Sequence, residues 1–134
     1  VAKLTTIEGI GETLAKKLKK ADVGSTDSLL KKGATKKGRQ AIAAAAGIDE
    51  KRVLRFVNHA DLMRISGVGG EYSELLEAAG VDSVPELKGR NAANLHTAMV
   101  DTNKKKKLVR QVPSADQVVD WVAQAKKLSR IVTH

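Results

Sequence analysis

Between residues 49 and 63 the apolar side chains Val53, Phe56, Val57, Ala60 and Met63 recur three and four positions apart. That spacing lays one stripe along an α-helix, with Asp49 placed to cap its start. The stripe returns in Val118, Trp121, Val122, Ala125 and Leu128. There Ser114 and Gln117, just after Pro113, stand at the spacing of a capping box. Ser83 and Glu86 give a second box before Leu87, with Pro85 inside the first turn. Residues 40–46 are alanine-rich and run into Gly47, which predicts a helix stopped by glycine. No segment alternates with period two. The pattern predicts an all-α protein of roughly eight short helices.

The chain also repeats itself. Ile7, Gly9, Gly11, Leu18, Ala21, Val23, Ser25, Leu29 and Ala34 meet Ile65, Gly67, Gly69, Leu76, Ala79, Val81, Ser83, Leu87 and Ala92 at one offset of 58. The match resumes at an offset of 65, where Val53, Phe56, Val57 and Ala60 meet Val118, Trp121, Val122 and Ala125. Seven residues are therefore extra in the second copy, and the sequence places them around residues 103–107. An internal duplication follows, with repeats at 1–62 and 63–134 expected to pack as one unit.

Composition narrows the chemistry. The 134 residues include no cysteine, which removes disulfides, thiolate zinc sites and cysteine nucleophiles. Phe56, Tyr72 and Trp121 are the only aromatics, too few for a base-stacking platform. No apolar run reaches the roughly 18 residues of a membrane span, and no secretory leader pattern opens the chain. The expectation is a soluble, cytoplasmic monomer without a membrane partner. Net charge is +9, which favours polyanionic partners. Its distribution is uneven: residues 1–60 carry a net +7, residues 61–87 a net −5, and residues 88–134 a net +7.

The stretch Ile7-Glu-Gly-Ile-Gly11 and its twin Ile65-Ser-Gly-Val-Gly69 raise the question of phosphate binding. Neither is a dinucleotide fingerprint, because Leu14 and Tyr72 occupy the third glycine position and no strand precedes them. Gly33 and Gly38 have P-loop glycine spacing but lack the Lys-Ser/Thr pair that follows it. The reading left is a glycine corner between two helices. Gly9 or Gly67 ends one helix in a left-handed conformation, and Ile10 or Val68 turns inward. Gly11 or Gly69 then opens a helix whose free N–H groups and positive dipole end can accept a phosphate. Such contacts hold a nucleic-acid backbone without reading bases.

These two corners, each followed by a helix bearing leucine or alanine, resemble helix-hairpin-helix motifs. The pattern from Ile7 through Leu18, Val23, Leu29 and Gly47-Ile48 to Ala60 is similar to the N-terminal helical domain of archaeal and eukaryotic RecA-like recombinases. The duplicated layout resembles a bacterial helix-hairpin-helix family described as a domain of unknown function. The resemblance implies two tandem helix-hairpin-helix repeats with phosphate contacts on the backbone of Gly9, Ile10, Gly11, Glu12 and Thr13. A second set would be Gly67, Val68, Gly69, Gly70 and Glu71, and Lys16 and Lys20 would flank the first phosphate path.

Glu12 and Glu71 depart from this pattern, because a carboxylate in the first turn satisfies the dipole and repels phosphate. Two like charges about 6 Å apart cost about 1–3 kcal/mol at effective dielectrics of 20 to 50. The second copy adds Glu74 and Glu77 on the same helix, so the first corner is the expected grip.

Lys104, Lys105, Lys106 and Lys107 form the densest basic run and read as a flexible loop that contacts phosphate or, alternatively, is only solvated. Lys31, Lys32, Lys36, Lys37 and Arg39 read as a polar connection between helices. Trp121 takes a core position equivalent to Phe56. His59 falls on the polar side of its helix, and His59, His96 and His134 lack metal-ligand spacing. No catalytic constellation stands out, so no enzyme activity, cofactor or metal is expected. The expected function is non-enzymatic DNA binding without sequence preference. The alternative is a protein-interaction or architectural module that uses the corners only for packing.

Overall fold

The computed structural model describes residues 2–134, so Val1, the first residue of the expected 1–62 repeat, lies outside the described residues. Among them the chain forms eight α-helices and no strand. The helices are α1 (Glu12–Lys20), α2 (Thr26–Lys32), α3 (Lys36–Ala46), α4 (Glu50–Leu62), α5 (Gly70–Ala78), α6 (Val84–Lys88), α7 (Ala92–Lys106) and α8 (Ala115–Lys126). A 3-10 turn, Leu4–Thr6, precedes α1. The all-α expectation holds. The chain divides into two compact units, one running through Asp61 and taking in Ile131–His134, the other Leu62–Arg130.

In the first unit α1 and α2 pack on α3. Leu18, Val23, Leu29, Val53, Phe56 and Val57 are almost wholly buried. Ser25 caps α2 by accepting from Ser28 N–H at 3.1 Å, and Thr35 caps α3 by accepting from Gly38 N–H at 3.0 Å. α3 therefore begins at Lys36, a turn ahead of the alanine run, and ends as expected at Gly47, whose φ is 68°. Asp49 caps α4 by accepting from Lys51 N–H at 2.7 Å.

In the second unit α6 and α7 pack on α8, and α5 packs on α7. Its core joins Leu62, Ile65, Leu75, Leu76, Val81, Leu87, Leu95, Met99, Val118 and Trp121. Ser114 and Gln117 form the full capping box at the start of α8. The box expected at Ser83 does not form: Ser83 makes no side-chain cap bond. The Glu86 carboxylate accepts instead from Asp82 N–H at 3.0 Å.

The backbone carries the same repeat as the sequence. Ile10 N–H donates to the Ile7 carbonyl at 3.1 Å, and Val68 N–H to Ile65 at 3.1 Å. Val23 N–H and Val81 N–H close on Leu18 and Leu76, each at 2.9 Å. Between them stand left-handed residues, Asp22 at φ 64° and Gly80 at φ 97°.

Candidate nucleic-acid interface

Gly9 has φ 95°, where a side chain is strained, and a Cβ there would lie 3.2 Å from Cε1 of Phe56. Gly67 has φ 97°, and its Cβ would lie 3.1 Å from Nε1 of Trp121. Each first glycine is thus required by its turn and by the repeat-equivalent aromatic packed under it. Ile10 and Val68 point inward, 4% and 5% exposed. The second glycines differ in kind. Gly11 and Gly69 are the extended residues that precede α1 and α5, neither helix has a side-chain cap, and nothing lies within 4 Å of a Cβ built on either. The first N–H groups of each helix have no intrahelical carbonyl to meet; Gly11, Glu12 and Thr13 are exposed at the start of α1, whereas Gly70, the first residue of α5, is buried.

Around the first corner lies an open groove of about 530 Å³, bordered by Gly11, Glu12, Thr13, Lys17, Asp49 and Arg52. The Arg52 guanidinium sits 5.5 Å from the Phe56 ring centroid, held beside the corner by a cation–π contact. Lys16 instead borders a neighbouring hollow with Lys3, Lys19 and Glu12. Lys20 lies in the last turn of α1, about 12 Å along the axis from its start, in a further hollow with Asp22 and Lys32. The sequence picked Lys16 and Lys20, whereas the fold sets Lys17 and Arg52 beside Gly9, Gly11 and Thr13. Arg52 carries no local signal, because it reaches the corner only once α4 has packed.

The second corner is built differently. The repeat positions of Lys17 and Arg52 hold Leu75, which is fully buried, and Gln117, which is engaged in the α8 capping box. Tyr72 replaces Leu14, donates its hydroxyl to the Gln111 carbonyl at 2.9 Å and packs against Trp121 with ring centroids 5.3 Å apart. Gln124 brackets Ser66, accepting from its N–H at 2.8 Å and donating to its carbonyl at 3.1 Å. Gly67 and Gly69 thus stand at a corner whose matching positions lack the two cations, and Glu71 is exposed in its first turn.

Three expectations need correction. Lys104, Lys105 and Lys106 are the last turn of α7, and Lys107 caps it at φ 51°, so the run is a helix end and not a flexible loop. The seven extra residues are split: α7 ends two residues beyond the repeat position of the α3 end, and the connection after it is five residues longer. His59 is fully buried, not solvent-facing. Arg39 is 5% exposed and leaves the polar connection for the interior. It donates to the carbonyls of Gly33 at 2.8 Å, Ala34 at 3.1 Å and Thr133 at 2.7 Å. Burial lowers its pKa, and the charge of Glu50 opposes that shift.

The glycines with P-loop spacing also have packing roles. A Cβ on Gly33 would strike the Val57 side chain, and one on Gly38 would strike the Lys32 carbonyl oxygen. Trp121 is buried as expected, 1% exposed. Among the described residues no three His, Asp or Glu side chains gather as a metal site, and no helix is long and apolar enough to cross a membrane.

No curated protein and no solved structure matches the chain. A family match extends over residues 8–128. By that match, which takes in both corners and all eight helices, the chain belongs to the family described as Domain of unknown function (DUF4332).

Proposed function

We propose that this protein binds DNA without reading its sequence, by holding the phosphate backbone at the first glycine corner. In this reading both corners are helix-hairpin-helix turns, akin to the N-terminal helical domain of RecA-like recombinases, and the protein is not an enzyme. One observation carries the proposal: α1 opens at Gly11 with no side-chain cap and open space in front of it, between Lys17 and Arg52. Free N–H groups at a positive dipole end, flanked by two cations, suit a phosphodiester oxygen. In this reading Gly67 serves packing against Trp121, and Gly69 opens α5 without flanking cations.

The test fills the corner from within. Gly11 has φ −91° and room for a side chain, so Gly11→Asp supplies the missing cap without strain. Anisotropy of a labelled duplex at about 50 mM salt should show affinity falling about tenfold or more, with thermal stability unchanged or higher. Equal affinity for the variant would remove the corner from the interface.

Glu12 and Asp49 face the same groove as Lys17 and Arg52, two anions against two cations. That balance favours the second reading, a protein-interaction or architectural module. It becomes the better account if the wild-type chain binds no duplex at micromolar concentration and low salt.

A further inference from the structure

The connection between α7 and α8 is larger than the fold needs. In the first unit Gly47 caps α3, and Ile48 alone separates it from Asp49, the cap of α4. In the second unit Lys107 caps α7, and residues 108–113 intervene before Ser114, the cap of α8. The longer path is pinned at several points. Asn103 donates its side-chain amide to the Val109 carbonyl at 3.1 Å and accepts from Val109 N–H at 3.0 Å, which closes residues 103–109 into a ring. Tyr72 holds the Gln111 carbonyl, and His96 Nε2 donates to the Pro113 carbonyl at 3.0 Å. Val109 is buried in the core, with Leu108 and Val112 packed against it.

What this pinned frame displays is charge. Lys104, Lys105, Lys106, Lys107 and Arg110 are all exposed, and no acidic residue lies between Asp101 and Asp116. Three successive residues on a helix fan around its end. The negative dipole end of α7 offsets their mutual repulsion, which lets the fold carry them together. Lys107 also takes a left-handed conformation that glycine fills in the first unit, a position where a side chain is a strain. A cation cluster on an already ordered backbone avoids the entropy of ordering a loop on binding.

We infer that this cationic knob is a second phosphate-binding surface, which takes the backbone of a nucleic-acid duplex independently of the first corner. It shares its ligand class with the reading above but not its site, so either can fail alone. The corner works through neutral N–H groups beside two cations, the knob through a cluster of five cations that displaces more counterions. The two therefore leave different salt signatures.

The test uses the full chain, a labelled duplex, and affinity measured from about 50 to 200 mM salt. The variant Lys104→Gln, Lys105→Gln, Lys106→Gln, Lys107→Gly keeps helix propensity and relieves the left-handed strain. The expected result is a slope of log K against log salt reduced by about three to four, with affinity at low salt down about tenfold or more. Lys107→Gly alone should lower the slope by about one without loss of stability. Asn103→Ala keeps every charge, so its affinity should fall severalfold at unchanged slope. Affinity and slope unaltered in the quadruple variant overturn the inference, as does wild-type affinity in Asn103→Ala. A quadruple variant that loses slope while Gly11→Asp binds normally supports the knob and refutes the corner.

Discussion

At the scale of single residues, the two glycines of each corner do different work. Gly9 is left-handed and lies on Phe56, so its smallness serves the fold. Gly11 is extended and open, so its smallness leaves amides uncovered. Gly9→Ala should therefore cost about 1–3 kcal/mol in urea unfolding. Gly11→Ala should cost less than about 1 kcal/mol in the same measurement. An equal loss at both positions would mean that the corner is one packed turn with no open face. The glycine pattern was legible in the sequence. So was the assignment of the left-handed turn to Gly9 and the helix start to Gly11; the aromatic packed under Gly9 was not, because the approach of Phe56 depends on where α4 packs.

At the scale of elements, capping chemistry was read correctly at α4 and α8 and missed at α6, where a neighbouring N–H competes for the same carboxylate. Asp49, and Ser114 with Gln117, cap as their spacing predicts. Ser83 does not, and the Glu86 carboxylate turns to Asp82 N–H. Arg39 shows the limit most plainly. It sits in a lysine-rich stretch that reads as solvated, yet it carries three carbonyls that include one from Thr133, 94 positions away. Arg39→Ala should cost about 2–4 kcal/mol, since all three carbonyls lose the guanidinium and only that of Ala34 keeps another donor, from Thr133. Amide exchange at Thr133, whose N–H donates to the Ala34 carbonyl at 2.8 Å, should accelerate in that variant. Protection that survives there would show that the Thr133–Ala34 pairing holds Ile131–His134 without the arginine.

At the scale of the whole molecule, charge is segregated along the chain, with basic ends around an acidic middle. The first unit gathers Lys17 and Arg52 at an open corner, while the second places its cations on the α7–α8 connection. Binding carried by both should be steeply salt-dependent and indifferent to duplex sequence, with Kd weakened about tenfold or more between about 50 and 200 mM salt. Titrating duplexes of unrelated sequence at equal length checks this. A difference above about tenfold between them would require base contacts, which this design does not supply.

The helical class, the duplication and the two corners are written in the order of the residues. Those rest on local periodicity, turn chemistry and self-similarity, which the chain carries in its order. Only the tertiary structure decided which cations meet the first corner, that His59 and Arg39 are buried, and that the lysine run is a clamped helix end. The first two depend on residues far apart in sequence coming to one place; the third depends on the Asn103–Val109 clamp together with the more distant Tyr72 and His96. The free energy that places them is the packing of apolar faces, to which the surface cations contribute little.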